Sequence, residues 1–249
     1  MEIVVCVKRV PDTETRVKVG PDGRALDPSG VKYVMSPYDE FAVEAALRKR
    51  DEAGEGTVTV VTLGSADSAE TLRSALAMGA DRSVLLEGEA TLDGLATARA
   101  LAEEIGPRAP DLVLLGVKAA DDDQQQVGPM LAVVLDRPCA TGVSSFELVE
   151  GKAVCRRGVE GGTETLELPL PSVITITKGE YEPRYASLKG IMAAKRKPLE
   201  TKPAVMPTPR LRVTSLELPP ERTGGRIVGE GPEAAADLVR LLREEANAL

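Results

Sequence analysis

The segment of this chain with the most chemical content runs from Gly116 to Gly128 and reads GVKAADDDQQQVG, directly after the apolar run Leu112–Leu115 and ahead of a helical pattern. A loop that leaves the carboxyl end of a strand and opens a helix turns backbone N–H groups toward an anion. Its placement therefore suits phosphate, although neither GxGxxG nor GxxxxGK[ST] occurs. Carboxylates repel phosphate, so Asp121, Asp122 and Asp123 fit such a loop if one caps the helix and the side chains face solvent while the amides face the ligand. An acidic helix start without a ligand and a magnesium site are the other readings of this spacing. Gly64-Ser65 closes a second strand in the same way.

Several chemistries lack their usual residues. The chain has no histidine, which weighs against a triad hydrolase or a zinc enzyme. Cys6, Cys139 and Cys155 show neither metal-ligand spacing nor an even count, and are expected to be buried free thiols. No SGGxDS-like pyrophosphate loop is present, which removes the basis for an ATP-hydrolysing adenylation enzyme. The net charge of −8 argues against nonspecific nucleic-acid binding. No catalytic residue and no metal site are expected.

These loops need a scaffold, and the first half alternates β-branched runs with helical spacing. Strands are expected at Ile3–Val7, Val58–Leu63, Ser83–Leu86 and Leu112–Leu115. Leu72, Ala75, Leu76 and Gly79 fall at helical spacing, as do Leu95, Ala98, Ala102 and Ile105. Val43, Ala46 and Leu47 form a face directed away from Glu40, Glu44 and Arg48. This alternation predicts a Rossmann-like α/β fold: a mostly parallel sheet with helices on both faces.

Beyond Asp136, Phe146, Leu148, Val154, Leu166 and Leu168 predict antiparallel hairpins, and Val173–Thr177 returns to strand character. A short helix is expected over Ala186–Lys197 and a last one over about Pro232–Glu245. The prolines between them predict an extended C-terminal arm. The expected organisation is an α/β domain over 1–200 and an arm with its helix over 201–249. Met1 leads straight into Ile3–Val7, and no apolar run reaches eighteen residues. A cytoplasmic chain without membrane insertion is therefore expected.

Three early segments then resemble the β subunit of electron-transfer flavoproteins: VKRVPD from Val7 to Asp12, MSPYDEFAVE from Met35 to Glu44, and ETLRSALAMGADR from Glu70 to Arg82. The likeness continues through DLVLLG from Asp111 to Gly116, the triple-Asp loop, and EPRYASLKGIMAAK from Glu182 to Lys195. It covers residues 1 to about 200 in order and at matching spacing.

The resemblance implies a heterodimer in which an α subunit holds most of an FAD and the β subunit buries AMP. The implied nucleotide positions are Cys6, Ser36, Pro37, Tyr38, Asp39 and Leu63. They continue over Gly116, Val117, Lys118, Ala119, Ala120, Asp121, Asp122, Asp123, Gln124, Gln125, Gln126 and Val127. It further implies that the 184–195 segment docks on acyl-CoA or other flavin dehydrogenases, with Leu188 as apolar anchor and Arg184, Tyr185, Lys189, Ile191, Met192 and Lys195 around it. An electron-transfer flavoprotein quinone oxidoreductase or a similar acceptor would take the electrons onward. On bare sequence, Leu188 packing its helix down is the other reading.

Two positions depart from the family pattern. Thr13 stands where many relatives carry an aromatic residue near the flavin. The tail from Gln126 to Pro129 resembles relatives in which the β pocket holds a second FAD for electron bifurcation, whereas Asp121–Asp123 resembles the AMP-binding branch, so AMP is the implied ligand. The same sheet would also serve a stand-alone nucleotide-binding regulator resembling universal stress proteins. With four Tyr, two Phe and no Trp, few rings are available to pack an isoalloxazine. A partner subunit explains that scarcity.

Overall fold

The computed structural model describes residues 1–89, 93–220 and 224–249. In chain order, β1 (Glu2–Cys6), β2 (Arg9–Pro11), β3 (Tyr33–Met35), α1 (Pro37–Ala53), β4 (Thr57–Gly64), α2 (Ser68–Met78), β5 (Arg82–Glu87), α3 (Gly94–Ile105), β6 (Leu112–Gly116) and α4 (Val127–Val134) make the first half. The second half comprises β7 (Cys139–Val143), β8 (Ser145–Val149), β9 (Lys152–Val159), β10 (Gly162–Pro169), β11 (Ser172–Ile176), α5 (Leu188–Ala194), β12 (Leu199–Pro203) and α6 (Ala234–Glu244).

Seven strands form one sheet in the order β12-β5-β4-β1-β6-β11-β7, with every neighbouring pair parallel. β1 lies centrally because each of its apolar side chains has a layer to enter. Ile3 and Val5 join the cluster with Leu47 of α1 and Leu76 of α2. Val4 and Cys6 point the other way, among Leu101 of α3 and Leu131 of α4. Alternate residues of a strand face opposite sides, so a continuous apolar run is what a doubly covered strand requires. The α/β fold with helices on both faces is thus the observed one.

β1 pairs with β4 on one side and with β6 on the other. The connections leaving β1 and β6 part at their carboxyl ends, which opens the crevice where doubly wound sheets hold ligands. β8, β9 and β10 form the expected antiparallel sheet beside this core.

Three local expectations are corrected. β12 was not foreseen: it pairs with β5 at the sheet edge, where only Leu199 and Lys202 are even half-buried, so the strand is held by backbone pairing and carries no apolar alternation. The helix expected over Ala186–Lys197 is confined to Leu188–Ala194, its start set by the Ser187 hydroxyl accepting from the Gly190 N–H at 3.0 Å. On α1, Glu44 is buried instead of facing solvent, because Arg48 from the same helix and Arg184 from a distant loop cover it.

Beyond β12 the described chain is irregular until α6, which buries no residue. Val205, Leu211, Leu218 and Ile227 are exposed along this stretch. The Leu211 N–H donates to Asp93 at 3.2 Å and the Leu216 N–H to the Gly23 carbonyl at 2.8 Å. Among the described residues no helix is long and apolar enough to cross a membrane.

Candidate functional site

The crevice beyond β1, β4 and β6 is a pocket with an apolar wall of Cys6, Leu63, Leu101 and Leu115 and a polar rim from the loop between β6 and α4. Asp39, in the first turn of α1, ties its floor together. One of its oxygens accepts from the Lys8 N–H at 2.7 Å and the other from the Gly116 N–H at 2.9 Å. A single carboxyl thus joins the loop after β1 to the loop after β6. Burial raises its pKa to about 7, opposed by those two amides and by the Lys8 ammonium, with Asp121 adding to the rise. Burial, followed by the charge of Asp39, pushes the Cys6 thiol far up, so it lines the pocket as an unreactive apolar group.

Gly116 permits this joint. A Cβ there would lie 2.5 Å from the Asp39 Oδ1 and 2.7 Å from the Tyr38 backbone carbon. Gly116→Ala is therefore expected to lower the unfolding free energy by about 1–3 kcal/mol, read as a reduced urea midpoint at unchanged slope. An unmoved midpoint would mean that α1 can yield without cost.

The loop ahead of α4 is longer than the capping expectation assumed. Asp123 and Gln125 both take left-handed backbone conformations, with φ of 51° and 57°, and α4 begins only at Val127. None of the three aspartates caps it: the N-cap is Gln126, which makes no side-chain cap bond. This corrects the expected role of Asp121–Asp123. Alternation of left-handed Gln125 with right-handed Gln126 turns successive N–H groups into one concavity, a form that receives anions. Among the described residues, the N–H groups of Gln126, Val127 and Gly128 meet no protein acceptor.

The aspartates are neutralised from elsewhere and do not simply face water. The Lys8 ammonium bonds Asp121 and Asp122, each at 2.8 Å, and Lys118 bonds Asp123 at 2.7 Å. Burial alone would lower the Lys8 pKa, but its two carboxylate partners outweigh this and hold it above its ordinary value. The acidic loop thus carries its own counter-charge beside the concavity.

Of the nucleotide positions expected from sequence, Cys6, Asp39, Leu63, Gly116, Val117, Lys118, Ala119, Asp122, Gln124, Gln125, Gln126 and Val127 line this one pocket. Ser36, Pro37, Tyr38, Ala120, Asp121 and Asp123 stand outside its lining. Ser36 is wholly buried and its N–H donates to the Lys8 carbonyl at 3.0 Å, so it fixes the start of α1 under the pocket. Pro37 opens α1, and Tyr38 lies behind Gly116 with the Lys118 ammonium 5.5 Å from its ring centre.

Val7, Lys8, Gly94, Thr97, Leu101, Leu115 and Gly128 also line the pocket, outside the expected nucleotide positions. A basic residue immediately after a central parallel strand was the available signal for Lys8. Thr97 and Leu101 lie on α3, whose Asp93 caps it by accepting from the N–H groups of Leu95 and Ala96.

The 184–195 segment lies apart from the pocket. Tyr185 is fully exposed, Leu188 is 83% exposed and Met192 71%. Three large apolar side chains displayed together are what a docking patch presents. A groove lined by Phe41 of α1, Met78 of α2, Glu182, Tyr185 and Ile191 adjoins the segment. Arg184 does not reach outward: its guanidinium turns back onto Glu44 and Asp51.

The sequence pattern described as the Electron transfer flavoprotein domain matches residues 24–206. The Electron transfer flavoprotein subunit beta of Homo sapiens is 43% identical over 252 residues, covering 98% of this chain and 97% of the relative. That of Bradyrhizobium diazoefficiens is 40% identical over 253 residues, covering all of both chains. That of Syntrophomonas wolfei is 38% identical over 236 residues, covering 95% of this chain and 93% of the relative.

Proposed function

Because the chain belongs to the electron transfer flavoprotein family, as one of its beta subunits, we propose that it is the nucleotide-holding, docking half of an electron-carrying heterodimer. In this reading an alpha subunit holds most of an FAD and this chain holds AMP. Electrons arrive from flavin dehydrogenases, acyl-CoA dehydrogenases among them, and leave to a quinone oxidoreductase or similar acceptor. The flavin, when bound, supplies the redox chemistry. This chain positions nucleotide and partner, and no acid, base or nucleophile is assigned to it.

The observation that carries the AMP assignment is the pairing of an apolar crevice with an amide concavity at one helix start. Leu63, Leu101 and Leu115 offer the dry surface a purine requires, and the N–H groups of Gln126, Val127 and Gly128 offer donors to a phosphate. The arm supports the alpha partner: Val205, Leu211, Leu218 and Ile227 are exposed, and Leu238 and Val239 of α6 lie bare on a helix that buries nothing. A second chain covering them would remove an unusual run of apolar surface from water.

The purified heterodimer, denatured and its released nucleotides identified by mass spectrometry, is expected to yield one FAD and one AMP. Two FAD would replace the AMP assignment with a second flavin. Release of FAD alone would leave the pocket without its proposed ligand.

A further inference from the structure

The docking patch is carried on a strap pinned at both ends, and the pin at its leading end is a buried carboxylate. Glu44 of α1 is 3% exposed. Its Oε2 accepts from the Arg184 Nε at 2.7 Å and from the Arg184 backbone N–H at 3.3 Å, while its Oε1 accepts from the Arg48 Nε at 2.8 Å. Arg48 in turn donates to the carbonyl of Glu180 at 3.0 Å and to that of Glu182 at 3.5 Å. One carboxylate therefore gathers the chain from 180 to 184 onto α1.

The trailing end is pinned to α2. Arg73 donates to the carbonyls of Ala194 and Lys197, and the Lys197 ammonium donates to the carbonyls of Leu76 at 3.2 Å and Ala80 at 2.6 Å. In between, Gly190 lies so close to α2 that a Cβ would stand 2.6 Å from the Ala77 carbonyl oxygen. Tyr185, Leu188 and Met192 thus project from a segment whose two ends and middle are fixed.

We propose that Glu44 is a positioning residue: by clamping Arg184 and Arg48 it holds the strap in its docking conformation before the dehydrogenase arrives. The inference rests on the docking role of the 184–195 segment. A segment ordered in advance does not lose that freedom at the moment of binding, so the gain falls on association with the partner and not on the flavin's chemistry. Freeing about one residue's worth of backbone corresponds to roughly a tenfold loss in apparent affinity.

The test is steady-state electron transfer from a flavin dehydrogenase to the purified heterodimer, varying the heterodimer concentration. Glu44→Gln, which keeps the shape but loses the charge, is expected to raise KM about tenfold, with kcat and flavin content unchanged. Amide hydrogen exchange across 184–193 should quicken in the same protein, and Glu44→Asp should recover part of the KM. Leu188→Ala is run beside it and is expected to raise KM as well.

If Leu188→Ala raises KM while Glu44→Gln leaves KM and exchange unchanged, the docking reading stands and the clamp is overturned. Should neither variant move KM, the docking reading fails and the clamp with it. A Glu44→Gln effect spread equally over kcat, flavin content and global stability would mark a merely structural residue and also overturn the proposal. Arg184→Gln, which opens the same clamp from its exposed side, replaces Glu44→Gln if the latter does not fold.

Discussion

Lys8→Met, prepared as the heterodimer, is expected to bind AMP roughly a hundredfold more weakly than the parent. In the parent the Lys8 ammonium lies 2.8 Å from both Asp121 and Asp122. Methionine has a similar length and keeps the packing of the side-chain stem, but it leaves two carboxylates uncompensated beside the proposed phosphate concavity. Two like charges at a separation on the order of 8 Å repel by about 2 kcal/mol in partly buried surroundings. Two such terms, reduced by salt, come to the 2.7 kcal/mol or so that a hundredfold represents. The cost to stability is smaller, about 1 kcal/mol, because the three side chains keep 19–33% of their surface in water. Titration calorimetry with AMP on nucleotide-stripped heterodimer reads the affinity directly. Adding Asp121→Asn and Asp122→Asn to Lys8→Met should restore most of it, which separates charge from packing. An unchanged affinity in the single variant would place the phosphate away from this loop.

Legibility in the sequence follows the distance over which each signal acts. β1, β4, β5 and β6 were readable because a doubly covered strand needs a continuous apolar run, and that requirement is local. The pocket could be placed because strand ends and helix starts follow from the same runs. β12 could not be read, since an edge strand is held by backbone pairing to β5 and leaves Glu200 and Thr201 exposed. The cap assigned to the aspartates failed for a different reason. Left-handed residues at 123 and 125 postpone the helix to Val127, and non-glycine residues rarely announce that conformation.

Charge partners were the least legible features. Lys8 meets its aspartates across more than a hundred residues, and Glu44 meets Arg184 across 140. Periodicity on α1 puts Glu44 on the solvent side beside Arg48, its i+4 partner on the same helix, and nothing local to the helix indicates that Arg184 arrives to bury it. The family resemblance pointed to Asp39, Tyr38 and Leu188, but it carried no account of what each side chain touches. That account came from the geometry: Asp39 joins two loops, Tyr38 lies behind Gly116, and Arg184 faces inward to Glu44 while Leu188 faces out.

The second large effect is on pH dependence and falls on Asp39. Its carboxyl is raised from an ordinary value of 3.8 to about 7, chiefly by burial. The folded state therefore favours the protonated form. The resulting stabilisation is fully present below about pH 4 and is lost progressively as pH rises toward 7. At about 1.4 kcal/mol per pH unit the loss is at most roughly 4 kcal/mol.

Asp39→Asn removes the titration and keeps the shape. Its amide oxygen can accept from either the Lys8 or the Gly116 N–H, while its NH2 confronts the other, costing about 1–3 kcal/mol at every pH. The variant is therefore expected to be the less stable protein near pH 4.5, with the gap narrowing or reversing by pH 7.5. Carboxylates such as Asp12, Asp22 and Asp27, held below their ordinary values chiefly by hydrogen bonds from Lys32, Arg24 and Ser29 respectively, give the opposite slope. They are common to both proteins and cancel in the comparison. Urea unfolding of parent and variant heterodimers at several pH values in this window supplies the difference. Parallel curves would mean that Asp39 stays ionised throughout, with the two backbone amides and the Lys8 ammonium overcoming the cost of its burial.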